Sequence, residues 1–566
     1  MPLSDRFPYK TAVEYNQDFL DLCYFNTTTE LRLIADIETP NGNIKVSDRN
    51  FYVGGDFYEA RVRFPSIERK LDDWLSWRPE ANTLELEISN ADGKFSDLLA
   101  GGTAFGLWIG KKITIKVGLR DVASSYKVVY SGFVSEVGGL IRKSYSFILN
   151  YEDYLSKTKV ELPPKTFQRE DFPDLEGRFL GRSIPLIYGN WMDDMPLSGV
   201  MEEGNGNVLG IPTTVVNGGL SLVDTTIPIE VVASNYYVLD VSNNVYVDRF
   251  GAWYKINPDD VTVTNYGAII AQNTGNTVIE GENYVYLEDD RITVAVKNIL
   301  PNLDNPVSQC KHLMIQYCGY EESDFTTAWQ TFDNLFKENG VRESLSRIAV
   351  YDPVQASRYC SVLLGQVQLQ MYINAEGKID LFSNDLEDFK LEVDRAAVKQ
   401  ADIVQNSLTV QLRDGTSFNR ARASFAYNPI RRENYLYTRY WKNTLSVDAI
   451  GKEVTETTFQ FPNLYKREQV EYHLHQILKL SSSFFEEVEV GLTWRHMLQD
   501  LGGFTKQVYV VSQLEFKETP AIFRSIRHNT DYSLTCTIWC LQQVPFGEWV
   551  GGTGSVGGDV SVIEAG

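Results

Sequence analysis

In TLELEISNADGKF, residues 83–95, the apolar Leu84, Leu86 and Ile88 alternate with Thr83, Glu85 and Glu87 before the chain reaches Asn90. A period of two sends successive side chains to opposite faces, so the stretch reads as a strand with one dry face and one wet face. The Asn-Ala-Asp-Gly that follows suits a type I turn, with Gly93 supplying the positive φ of a bulged hairpin. Nearly the same turn returns as NAEGKI, residues 374–379, after QVQLQMYI, in which Val367, Leu369, Met371 and Ile373 alternate with polar neighbours. The pair is a metal loop, a turn, or a trace of duplication. A calcium loop needs oxygen ligands at alternate positions. Asn90 and Asp92 would serve, but the next position is Lys94, and the second copy repeats the flaw with Asn374, Glu376 and Lys378. A cation where a ligand belongs argues for the turn. Duplication would place one turn in each of two related β units. Against strict equivalence, Ile88 lies two residues before its Asn and Ile373 only one, and SDLLAGGTAFG after Phe95 stops alternating where KIDLFS continues.

Outward from this stretch, KKITIKV (111–117), KVVYSGFVSEV (127–137) and SYSFILNYEDYL (144–155) are further one-sided strands. A small barrel or sandwich would bury their dry faces. The Pro- and Gly-rich EDFPDLEGRFLGRSIPLIYGNW (170–191) reads as an extended connector, and short β runs such as TTIPIEVV and ITVAV fill 205–300. Three helices follow with clear punctuation. In NPVSQCKHLMIQYCG, Asn305 caps, Pro306 takes the first turn, Val307, Cys310, Met314 and Cys318 share a face, and Gly319 ends it. SDFTTAWQTFDNLFKENG carries the stripe Phe325, Trp329, Phe332 and Phe336 and closes at Asn339-Gly340. DPVQASRYCSVLLG is expected to start at Asp352 as cap with Pro353 in its first turn, and to end at Gly365. A second β region from 366 includes one late helix, NLYKREQVEYHLHQILKL.

The expected fold class is therefore mainly β with a few helices (α+β): two β-barrel tube-like domains plus an intermediate β domain and a helical segment. The expected boundaries are an N-terminal arm 1–30, a first barrel 31–165, a connector 166–204, an intermediate β domain 205–300, a helical segment 301–365, a second barrel 366–550 with one helix, and a flexible Gly-rich tail 551–566.

At 566 residues, 43% hydrophobic and 12% aromatic, the chain has material for several cores. A net charge of −22, from 53 basic and 75 acidic residues, disfavours a nonspecific grip on nucleic acid or an anionic membrane. MPLSDRFPYK carries charges where a secretory leader would be apolar, and no run of apolar residues is long enough to span a membrane, so a soluble chain with no membrane anchor is expected. The six cysteines are too scattered for a disulfide scaffold. Cys536 and Cys540 in CTIWC, on one strand, would stand roughly 13 Å apart, beyond bridging distance.

Other chemistry fares no better. GTGSVG at Gly552, Gly554 and Gly557 matches a dinucleotide fingerprint but has no room for the strand-helix unit that fingerprint needs, and GNGNVLG at Gly204 has the wrong spacing. Gly110-Lys111 lacks the upstream Gly of a phosphate loop. His473 and His475 lie two apart on a helix and cannot share a metal, so they are expected as solvated positions. His312, His496 and His528 have no zinc-like spacing around them. Asp193-Asp194, Asp259-Asp260 and Glu288-Asp289-Asp290 are expected as solvated loops, since adjacency in sequence does not make a facing carboxylate pair. No catalytic, cofactor-binding or metal-binding residue is assigned, no cofactor is implied, and the chain is expected to be no enzyme.

Taken in order, FYVGGDFYEARVRFPSIERKLDDWLSW, LELEISNADGKFSDLL, IGKKITIKVGL and VVYSGFVSEV resemble the N-terminal barrel region of tailed-bacteriophage tail-tip and baseplate hub proteins. SIPLIYGNW (183–191) resembles the connector that follows in such proteins, and the helices and VQLQMYINAEGKIDLF continue the order. The resemblance implies a structural virion protein with two β-barrel tube domains per chain. Three chains would form a homotrimer that joins a sixfold tail tube, or distal tail protein ring, to a central spike or fibre. It implies a channel through which genome DNA passes without specific binding during DNA ejection, and a tape-measure protein as a further partner. The location implied is the virion tail tip or baseplate, after assembly in the bacterial host cytoplasm. Two rival readings stand beside it. One is a hexameric distal tail protein or receptor-binding adhesin, for which the aromatic-rich 205–300 is the place to look for glycan. The other is a tail-associated cell-wall hydrolase working through Asp193 or Glu288.

Overall fold

The computed structural model describes residues 30–71, 82–100, 107–191 and 303–385 with few interruptions, the strands of 200–298, most of 397–541, and 560–562. The alternation around Leu86 builds the first sheet. Its strands are β1 (Leu31–Thr39), β2 (Gly42–Ser47), β3 (Phe51–Val53), β4 (Asp56–Ala60), then β6 (Thr83–Ser89), β7 (Lys112–Leu119), β8 (Lys127–Val134), β9 (Leu140–Arg142) and β10 (Ser146–Glu152), with β5 (Ile67–Lys70) leaving it. The order is β3-β4-β2-β1-β7-β8-β10-β6, with β9 on the free part of β10. Leu86 pairs with Leu149 and Ile88 with Phe147, all fully buried, while Glu85 and Glu87 face water. Each such side chain contributes about 1.5–3 kcal/mol by leaving water. No ladder closes this sheet into a barrel among the described residues. Its two ends meet at one bridge, Val62 to Ile88.

Between residues 200 and 298 lie two small sheets and a two-stranded pair, Val278–Ile279 with Glu282–Asn283. One has five strands, centred on Leu239–Arg249 between Ala252–Lys255 and Arg291–Asn298. The other has four, running from Thr214–Asn217 through Ile229–Val232 and Gly267–Ile270 to Val261–Val263. The sheet of the second β region has seven strands. Its path is Ala397–Lys399, Phe504–Val508, Thr519–His528, Leu534–Leu541, Phe485–Leu492 and Thr409–Leu412, and its seventh member is β5. Mainly β with a few helices is thus the architecture.

Besides the single turn Ser96–Leu99, the helices among the described residues are α1 (Pro306–Cys318), α2 (Thr327–Phe336), α3 (Ala356–Gly365) and α4 (Arg467–Ser481). The Asn305 side chain accepts from the Val307 and Ser308 amides at 3.0 and 3.1 Å, and Gly319 ends α1 with φ 71°. Phe325 stands before α2, bridged to Ile379, and its ring meets Trp329 edge-on at 5.0 Å, so the stripe is complete although the helix is shorter than the pattern. Asn339 lies outside the described residues.

One expectation, the start of α3, is corrected. Asp352 and Pro353 do not start α3. Val354–Gln355 is a short strand paired with Glu161–Leu162, and the Ala356 amide donates to the Val160 carbonyl at 2.8 Å, so the segment 160–162, just ahead of the connector, takes the backbone groups a longer helix would use. The two similar turns are not equivalent in place. The first ends a strand of the nine-stranded sheet, whereas Leu369–Ile373 and Ile379–Ser383 form a two-stranded sheet of their own that rests on α2, where Trp329 Nε1 donates to the Ile379 carbonyl at 3.1 Å. Within the expected flexible tail, Val560–Val562 pairs with Trp441–Asn443.

Candidate functional site

The turn that ends β6 is built as the sequence predicts. The Gly93 amide donates to the Asn90 carbonyl at 3.0 Å with φ 74°, and Gly377 repeats this on Asn374 with φ 81°. What differs is the surroundings. Arg61, just past β4, donates to both Asp92 oxygens at 3.1 and 2.6 Å and to Glu59, while Lys94 pairs with Glu59. The guanidinium lies 5.2 Å over the Phe95 ring, and its backbone carbonyl accepts the Ser89 amide at 2.8 Å. Four alternating charges therefore clasp the place where the two ends of the first sheet meet. Hydrogen bonding from Arg61 holds the Asp92 carboxyl well below the usual range, and Lys94 lowers Glu59 in the same way. Among the described residues Glu376 and Lys378 form no ion pair, so only the first turn is a clasp. This ring was missed in the sequence. Its signal is two mirrored segments, Glu59-Ala-Arg61 and Asp92-Gly-Lys94, each with opposite charges two apart.

β5 ties the two large sheets. Ile67 pairs with His528 and Lys70 with Ser525, and the Leu71 amide donates to the Arg524 carbonyl at 2.7 Å. Ile67 and Arg69 turn into the interior while Glu68 and Lys70 face water. Arg524 in turn lies 4.2 Å over Trp539 and donates to Gln370 at 3.3 Å, which links the second hairpin to the same strand.

The residues considered for chemistry do not gather. His473 is buried, not solvated, because α4 is covered on both sides; its Nε2 meets Ser344 Oγ at 2.9 Å, and burial pushes the imidazole down to about 3. His475 is half-buried against Trp441 at 5.9 Å. His312 Nδ1 meets the Tyr188 hydroxyl at 3.0 Å, anchoring the connector to α1, and burial lowers its pKa. His496 and His528 are buried elsewhere. Gly110-Lys111 turns into β7, and Lys111 pairs with Glu38. Cys310, Cys318, Cys360 and Cys536 are buried free thiols, and Cys536 and Cys540 share the strand Leu534–Leu541. Asp193-Asp194, Asp259-Asp260, Glu288-Asp289-Asp290, Gly204, Gly552, Gly554 and Gly557 lie outside the described residues. Among the described residues no three His, Cys, Asp or Glu are grouped to hold a metal, and no helix is long and apolar enough to cross a membrane.

These elements define a mainly β chain in which two large sheets are tied by one exchanged strand, with a charged clasp at the seam of the first. No family model matches the chain, and no curated protein matches it. Among solved structures it is similar to the tail protein from Neisseria meningitidis MC58, at 8% identity and a TM-score of 0.38, covering 91% of this chain and 98% of that one. It is similar to prophage tail protein gp18 from Listeria monocytogenes EGD-e, at 6% identity and a TM-score of 0.37, covering 90% and 94%. It is also similar to a chain of the Francisella PdpA-VgrG complex, at 8% identity and a TM-score of 0.30, covering 93% of this chain and 56% of that one.

Proposed function

We propose that this chain is a structural protein of a phage-type tail, a hub that joins the tail tube to a central spike or fibre as a homotrimer and leaves a channel for DNA. The observation that carries the reading is β5: the strand that follows the first sheet pairs into the second, so the two sheets are joined through one segment of chain. Three such pairs arranged in a ring offer six sheet units on one side and three chains on the other, which is the match a sixfold tube and a threefold spike require. The order of motifs that resembles tail hubs supports the same reading. An acidic chain also suits a passage that must not retain DNA. The hub works by shape and assembly and catalyses nothing.

The test is the mass of the purified assembly by light scattering, with its symmetry seen in averaged images. Three copies around an axis support the hub. Six copies select a distal tail ring, and a stable monomer at high concentration overturns the proposal. Lysis of cell-wall material in a zymogram, lost on neutralising Asp193 or Glu288, would overturn the non-catalytic part.

A further inference from the structure

We propose that the strand Val560–Val562 is exchanged between copies of this chain, each copy's strand completing the Trp441–Asn443 edge of its neighbour. This rests on the ring reading above. The receiving strand is well held: Ala421 pairs with Trp441 and Arg420 with Lys442 on one side, the Asn443 amide donates to the Asn419 carbonyl at 2.8 Å, and Trp441 stacks on His475 of α4. On its other side it pairs with the added strand, Trp441 with Val562, Lys442 with Ser561 and Asn443 with Val560. Without that strand the edge is open, and an open edge takes an extended segment through main-chain hydrogen bonds whichever chain supplies it. The preceding strand ends at Leu541 in the seven-stranded sheet, and the 18 residues 542–559, six of them Gly, separate it from Val560. Fully extended, such a stretch reaches roughly 60 Å, far enough to pass to an adjacent copy. The same three residue pairs form within a chain or between chains, so exchange loses no contact. Three pairs are too few to capture a free chain. They matter between copies already held side by side, where the tether keeps the strand at high effective concentration.

The test uses the full chain with cysteines at the facing positions. Lys442→Cys and Ser561→Cys are placed on separate chains, which are co-expressed, assembled and mildly oxidised. A covalent link between the two kinds of chain, absent from either variant alone, is expected. The double variant is expected to lose its monomer band to a ladder ending at the ring's copy number. A link confined within single chains of the double variant, or none in any combination, overturns the exchange while an intact ring mass leaves the hub reading standing. A monomeric mass instead brings down the hub reading and the exchange with it.

Discussion

Replacing Ile67 with Ala tests whether β5 makes one body of the two large sheets. Ile67 is 1% exposed at the start of β5, opposite His528. The substitution deletes three buried carbons, about 2.5 kcal/mol at about 0.8 per methylene. The cavity left behind brings the loss to roughly 3–4 kcal/mol. At about 1.4 kcal/mol per decade, that is an increase of at least about 100-fold in opening. The assay is native-state amide exchange read by mass spectrometry, following peptides from Thr519–His528 and from Thr83–Ser89. If the sheets share one cooperative unit, both regions exchange faster by similar factors. Glu68→Ala, on the wet side of the same strand, serves as the control and shifts neither by more than about 0.5 kcal/mol. Faster exchange in Thr519–His528, the strand β5 pairs with, while Thr83–Ser89 stays unchanged would refute the joined pair, and with it the observation on which the hub reading stands.

Asn305→Ala removes the side-chain acceptor at the start of α1 and its bond to Asp333, so a loss of about 1–2 kcal/mol is expected in chemical denaturation. Gly377→Ala places a Cβ at φ 81° and is expected to cost about 1–2 kcal/mol, read as a lowered melting temperature. Asp153 is fully buried and, although it accepts from the Asn82 and Leu155 amides, burial raises it to about 6. A carboxyl raised by folding contributes stability that is full below about pH 4 and lost as pH climbs through 6, so the wild type loses about 3 kcal/mol across that window and Asp153→Asn does not. His473 shifts the opposite way, to about 3, so its contribution is present above about pH 6.5 and declines as pH falls towards 3; His473→Gln flattens that acid limb in denaturation curves.

The parts of this fold that the sequence makes legible are those whose causes are local. Leu84, Leu86 and Ile88 declare a one-sided strand by period alone, and Asn305, Pro306 and Gly319 frame α1 because capping acts within four residues of each end. The turns at Gly93 and Gly377 are legible for the same reason, since a positive φ after Asn-x-Asp/Glu is settled within the turn. Their roles are not. Asp92 and Lys94 acquire a function from Glu59 and Arg61, which sit more than thirty residues upstream, while Glu376 and Lys378 carry the same pattern to a place with no such partners among the described residues. His473 shows the same limit: its helix is legible and the residue reads as solvated, but residues as distant as Ser344 and Phe336 cover it. β5 is the extreme case. Ile67-Glu-Arg-Lys70 has four residues of alternation and finds its partner strand more than four hundred residues later, a pairing fixed by topology and not by any property of the segment itself. That distance is why the sequence yields two separate β regions, and why the strand that joins them emerges only from the fold.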